Sequence, residues 1–145
     1  MERKRTLMMA MARTRRAWNN HVKEVAHAIG IPDSYRTVIS YLHRNPGANQ
    51  RNIAEFADVT TSAVNQTVKS MLEEGYLRKE TDECDRRHSK LFLTDKGEDV
   101  GTKLRERLSV SDEIITELVT PEKETELIAL LDKITDCIRR DLTSC

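Results

Sequence analysis

No stretch of the chain approaches the roughly 18 to 20 consecutive apolar residues that a membrane-spanning helix needs, so none is expected. The apolar run near the N-terminus, Leu7 to Met11, is too short for a signal-peptide core and soon meets Arg13, Arg15 and Arg16. A cytoplasmic location is therefore expected. Proline and glycine are scarce, at three and five residues, which disfavours a sandwich or a disordered chain and favours a soluble, mostly helical one. Cys84, Cys137 and Cys145 are odd in number and lack CxxC spacing, which argues against a disulfide framework or a zinc ribbon and for reduced thiols. A Gly-rich phosphate loop, GxSxG, HExxH and a convincing Cys and His pair are all missing. No enzymatic chemistry is indicated, and no cofactor or resident metal is expected.

What is there fits one cooperative unit, because 145 residues suffice for one core and not for two independent ones. Hydrophobic residues make up 38% and charged residues 33%. A formal net charge of zero argues, by itself, against a nucleic-acid partner. The distribution of that charge says more. Residues 1 to 23 hold seven Lys or Arg against one acid, whereas residues 95 to 145 hold eight against thirteen. A basic beginning and an acidic end suit two segments that lie against each other, within or between chains, although ordinary solvated helix faces account for the pattern equally well.

Leu7, Met11, Trp18, Val22 and Val25 recur at helical spacing and predict a first helix over residues 5 to 28, ended by Gly30 and Pro32. Asp33 or Ser34 can cap a second helix through Arg44, with Val38, Ile39 and Leu42 inward and Asn45-Pro46-Gly47 as its stop. Asn49 can cap a short helix carrying Ile53, Ala54 and Ala57 that breaks at Asp58. A fourth helix, Thr61 to Glu74, places Val64, Val68, Met71 and Leu72 on one face and ends at Gly75. The period then changes: Tyr76 to Glu80 and Lys90 to Leu93 read as strands joined by the polar segment Thr81 to Ser89. Thr94 caps a further helix with Val100, Leu104, Leu108, Ile115 and Leu118 as its stripe, and Thr120-Pro121-Glu122 restarts the chain as a last helix. Leu127, Leu131, Ile134 and Ile138 stripe that helix, which implies a partner surface. The expected fold is mainly α with a small β-hairpin wing.

Two short helices joined by a three- or four-residue turn form a helix-turn-helix, whose second helix lies in the major groove. Asp58 stands where the turn needs a left-handed residue, and Val59 is expected to plug the angle between the helices. The outer face of the second helix then carries Thr61, Ser62, Asn65, Gln66 and Lys69. Asn and Gln can bond bidentately to adenine, Ser and Thr reach base edges or phosphates, and Lys69 suits a phosphate or a guanine. A merely solvated face would carry the usual Glu and Lys, and here acids are delayed to Glu73 and Glu74. At the hairpin tip, Arg87 can enter a narrow minor groove with Asp85 placed to orient it, while Arg86, His88 and Lys90 serve the phosphate backbone.

From about Val22 to Gly97 the chain resembles the MarR family. Ile53-Ala54, Val59-Thr60, Val64, Leu72-Glu73-Glu74-Gly75-Tyr76-Leu77 and Asp82 through Asp85-Arg86-Arg87 to Leu93-Thr94-Asp95-Lys96-Gly97 fall in family order. Glu83 stands where a proline is common. The resemblance implies a winged helix-turn-helix with long N- and C-terminal dimerisation helices, formed by residues 1 to 30 and 95 to 145, around a DNA-binding lobe of residues 33 to 94. It also implies an obligate homodimer that reads a pseudo-palindrome in double-stranded DNA, with half-sites about 10 base pairs apart.

The family's usual logic further implies a small effector, often an aromatic acid, bound between the dimer helices and the lobe. Met8, Met11, Trp18, His21, Tyr35 and Tyr41 are the candidates for that pocket, and core packing explains most of them equally well. The expected function is a sequence-specific transcriptional repressor released by that effector. Alternatives are a metal-responsive regulator using His21, Glu24 and His27 with His43 or Cys84, a redox-responsive one using Cys84 or Cys137, and a helical interaction protein that does not touch DNA.

Overall fold

The computed structural model describes residues 6–81, 83–84 and 89–140. In chain order these form α1 (Leu7–Ile29), α2 (Asp33–Arg44), α3 (Gln50–Ala57), α4 (Thr61–Glu73), β1 (Leu77–Thr81), β2 (Ser89–Leu93), α5 (Asp95–Val119) and α6 (Pro121–Arg140). The described residues thus contain six helices, and the restart read at Thr120-Pro121-Glu122 is where α5 ends and α6 begins. Thr120 itself turns the chain with a positive φ of 69°. They fall into two compact units, one up to Leu108 and one from Ser109 onward. No helix among them is long and apolar enough to cross a membrane.

Local chemistry sets most of the boundaries. Thr6 Oγ1 accepts the Met9 N–H at the start of α1, and Gly30 closes that helix in the left-handed region. Pro32, not Asp33 or Ser34, holds the capping position of α2. The Asp33 carboxylate instead takes the guanidinium of Arg36 at 2.7 Å, one turn along. Asn49 and Asn52 exchange side-chain and backbone hydrogen bonds at 3.1 and 2.9 Å, a reciprocal cap for α3. Asp58 ends α3 in the left-handed conformation, at φ 55° and ψ 46°. Thr60 Oγ1 accepts the Ala63 N–H at 3.2 Å and so starts α4. Thr94 does the same for α5 by accepting the Gly97 N–H.

The hairpin pairs Leu77 with Leu93 and Thr81 with Ser89 in antiparallel register. Its inner edge is extended by the segment between α2 and α3. Gly47 N–H donates to the Leu91 carbonyl and Leu91 N–H donates to the Ala48 carbonyl, at 2.9 and 3.0 Å.

Ile39, Leu42, Ile53, Val68, Met71, Leu91 and Leu104 are fully buried. They come from α2, α3, α4, β2 and α5, so one core holds the lobe together. Each such side chain contributes about 1.5–3 kcal/mol of transfer free energy. Val22 and Ala26 of α1 are buried too, but Leu7 at the start of that helix is exposed. Val59 is also half exposed and does not plug the helix-turn-helix angle. Beyond Leu108 the apolar stripes face outward: α6 buries no residue, and Leu118 on α5 is 80% exposed. Cys84 is an exposed thiol, whereas Cys137, read from the sequence as reduced, is disulfide-bonded.

Candidate nucleic-acid interface

The helix α4 is amphipathic in an unusual way. Val64, Val68 and Met71 face the core, while Thr61, Ser62, Asn65, Gln66 and Lys69 are all exposed. The hydroxyls of Thr67 and Ser70 turn back onto the Ala63 and Gln66 carbonyls, at 3.3 Å each. No hydrogen bond or ion pair among the described residues engages the side chains of Thr61, Ser62, Asn65, Gln66 or Lys69. These groups are therefore presented to solvent, ready to bond outward. The first turn of α4 carries no acid, so no side-chain charge in it offsets the positive end of its dipole. The face thus offers donors, acceptors and one cation.

Beside it stands the hairpin. Lys90 is exposed on β2 and lies across from Glu80 on β1. Arg78 stacks 4.4 Å from the Phe92 ring centroid and pairs with Glu80, and Lys79 is exposed next to it. Sequence reasoning did not single out Arg78 and Lys79. Two adjacent basic residues directly after the apolar Leu77 are the signal that marks them. Asp85, Arg86, Arg87 and His88 lie outside the described residues, so the groove-entering role read from the sequence is carried into the proposal below.

Comparison with known proteins bears on what such a lobe does. The chain is 31% identical over 100 residues to the uncharacterized HTH-type transcriptional regulator YybA of Bacillus subtilis (strain 168), covering 69% of this chain and 67% of the relative. The MarR family model matches residues 29–88. The chain belongs to the MarR family. Members of this family are DNA-binding transcriptional regulators, not enzymes, and the chain is one of them. Its fold is that of the MarR protein from Peptoclostridium difficile DA00132, with a TM-score of 0.81 at 22% identity over 97% of this chain and 94% of that one. It is also similar to the transcriptional repressor CouR bound to a 23-mer DNA duplex, with a TM-score of 0.76 at 21% identity over 90% of this chain and 92% of that one.

In this MarR-family chain the effector candidates read from the sequence separate into three places. Met8 is exposed, and Met11, Trp18 and His21 are half-buried on α1, where the Trp18 and His21 rings lie 5.7 Å apart. Tyr41 stacks on Phe56 of α3 at 4.9 Å. Tyr35 is buried, edge-on to Tyr76 at 5.7 Å, and donates to Glu74 Oε1 at 2.6 Å. That bond to a carboxylate raises the Tyr35 pKa above its ordinary 10.0, with burial and the Glu74 charge adding to the shift.

A cavity of about 500 Å³ lies elsewhere, and none of those residues lines it. Its walls are Arg15, Asn19 and Lys23 of α1, Arg36 and Val38 of α2, Ile53 and Phe56 of α3, Val59, and Val64 and Thr67 on the inner side of α4. The four-residue spacing of Arg15, Asn19 and Lys23 puts them on one helical face, which is the sequence signal for this site. Among the described residues, His21, Glu24, His27, His43 and Cys84 do not converge into a group of three or more metal ligands. His43 instead pairs with Glu98, Nδ1 to Oε2 at 2.7 Å.

Proposed function

We propose that the protein is a cytoplasmic homodimeric repressor that reads a pseudo-palindromic operator with α4 and the hairpin. The observation that carries this reading is the face of α4, where Thr61, Ser62, Asn65, Gln66 and Lys69 point outward and acids are held off to Glu73. Asn65 and Gln66 bond base edges, while Thr61, Ser62 and Lys69 hold the phosphates or adjoining bases. Arg87, oriented by Asp85, enters the flanking minor groove, and Arg86, His88 and Lys90 follow the backbone. Residues 33–94 form the reading lobe, and residues 1–30 and 95–145 form the dimer.

The dimer reading is supported by the apolar side chains of α6 and the end of α5, including Ile114, Leu118, Leu127 and Ile128, which the described chain leaves exposed. A surface of that kind on a monomer calls for a partner. Release by a small effector is supported by the cavity behind α4. Arg15 and Lys23 supply cationic groups, Arg36 is paired with Asp33 on the same wall, and Val38, Phe56 and Val59 supply apolar walls, which together suit a small aromatic acid.

The test is selection of bound sites from random duplexes, followed by titration at several salt concentrations and sedimentation of the free protein. A recovered inverted repeat, binding that weakens steeply with salt, and a dimer in solution are expected. A monomer that binds no duplex in dilute buffer overturns the proposal.

A further inference from the structure

The apolar side of α4 rests on the core through Val64, Val68 and Met71. Directional contacts gather at its other end. Glu74, the C-terminal cap residue, accepts the Tyr35 hydroxyl of α2 on its carboxylate at 2.6 Å. Its backbone carbonyl accepts Lys96 Nζ, from the first turn of α5, at 2.9 Å. The same ammonium lies 4.0 Å from the Tyr76 ring centroid, and the Tyr76 ring meets the Tyr35 ring edge-on. Thr94 Oγ1 donates to the next carbonyl, that of Gly75, at 2.6 Å. One residue thus ties α4 to α2 through its side chain and to α5 through its backbone.

A carboxylate at this position works against the dipole of its own helix, whose C-terminal end is already negative. Helix stability is therefore not what Glu74 provides. Glu73 and Glu74 are both exposed, but Glu73 makes no such bond among the described residues. The Tyr35 phenol is buried and stays protonated, the form in which it can donate.

We propose that Glu74 is a positioning residue for DNA recognition, latched by Tyr35 and Lys96 so that the roll of α4 is set by α2 and α5. Displacement of either helix then reaches Asn65 and Gln66 through this latch. The inference rests on the reading of α4 as the DNA-contacting helix, and its test separates the two.

The experiment compares wild type, Tyr35→Phe, Glu74→Gln, Glu74→Ala and the double variant Tyr35→Phe with Glu74→Ala, alongside Asn65→Ala. Each is titrated with the selected duplex and with an unrelated duplex, and its thermal midpoint is measured. Tyr35→Phe keeps the buried ring and so keeps the fold. Tyr35→Phe and Glu74→Ala are each expected to weaken binding to the selected site about tenfold, the scale of a lost charge-assisted hydrogen bond. Binding to the unrelated duplex is expected to be unchanged. The double variant should bind no more weakly than either single one, and Glu74→Gln, which keeps an acceptor, should recover most of the affinity. If Asn65→Ala loses selectivity while Tyr35→Phe and Glu74→Ala bind the selected site like wild type, the latch is refuted and the α4 reading stands. If Asn65→Ala also changes nothing, both fall. Equal losses on every duplex likewise refute the latch.

Discussion

His43 and Glu98 join the last turn of α2 to the first turn of α5, with Nδ1 and Oε2 2.7 Å apart. One turn further along α5, a Cβ on Gly101 would sit 3.0 Å from the same imidazole nitrogen and 3.3 Å from Ile39 Cγ2. At Gly97 the approach is tighter still, because a Cβ there would meet the Tyr76 carbonyl oxygen at 2.3 Å. The start of α5 thus lies against both the core helix α2 and the beginning of the hairpin.

Gly97→Ala is accordingly expected to lower stability by about 1–3 kcal/mol or more, since backbone must move to admit the methyl group. Gly101→Ala should cost less. The imidazole can shift by a few tenths of an ångström, and alanine returns about 1 kcal/mol of helix propensity. Urea denaturation of the two variants gives the order, and the reverse order would contradict the close approach at Tyr76.

The entry to α4 gives a second expectation. Thr60→Ala removes the acceptor for the Ala63 N–H and should cost about 1 kcal/mol, with Thr60→Ser close to wild type. Asp58→Val places a β-branched residue at φ 55° and should cost about 1–2 kcal/mol. Chemical denaturation checks both, and a neutral Asp58→Val would be inconsistent with a left-handed turn residue.

Contacts with DNA are separable by the kind of affinity they supply. Asn65→Ala and Gln66→Ala should each weaken binding to the selected site by about 1–3 kcal/mol and relax the base preference at one position. Lys69→Ala should weaken binding to all duplexes alike and flatten the salt dependence by about one unit of slope. Arg87→Ala at the hairpin tip should cost about 1–3 kcal/mol at fixed salt. Fluorescence anisotropy with selected and scrambled duplexes distinguishes these patterns, and unchanged affinity for Arg87→Ala removes the wing from the interface.

The Tyr35 hydroxyl predicts a pH dependence with a definite sign. Its folded pKa is raised above 10.0, chiefly by the bond to Glu74, so the phenol keeps its proton in the folded state after the unfolded chain has lost it. The stabilisation is fully present below pH 10 and is lost as pH rises through the raised value. The stability margin of wild type over Tyr35→Phe should therefore be constant from pH 7 to 9 and shrink above 10. Denaturation midpoints measured across that range check it, and a margin that grows with pH would contradict the hydrogen bond.

The helix-turn-helix was legible because its signals are local. Asn49, Asp58 and Gly75 mark helix ends by what their own side chains or backbones do within a few residues, and Val64, Val68 and Met71 declare the inner face of α4 by spacing alone. Spacing failed where the partner was not in the pattern. Leu7, Leu118 and Leu127 show the same periodicity as Leu104, yet only Leu104 is buried. An apolar stripe records that a surface wants covering and not which surface covers it. Val59 was misread for a related reason, since a turn residue has no periodicity and its exposure depends on the angle at which α3 and α4 meet.

The effector candidates make the same point from the other side. Trp18 on α1 and Tyr35 and Tyr41 on α2 each meet a different ring, those of His21, Tyr76 and Phe56, while the cavity is lined by Arg15, Lys23 and Arg36, charged residues of a kind that any helix surface carries.

By itself, the sequence determined where helices and strands begin and end, which side of α4 faces the core, and that this helix offers an anionic partner uncharged polar groups. These are properties of residues within one turn of each other, governed by backbone capping and the 3.6-residue period. Only the tertiary structure decided that Tyr35 would reach Glu74 across 39 positions of chain, and that Arg15, Arg36 and Phe56 would share one cavity. Those meetings depend on how four helices cross, and crossing is set by the packing of the whole core, which no local pattern records.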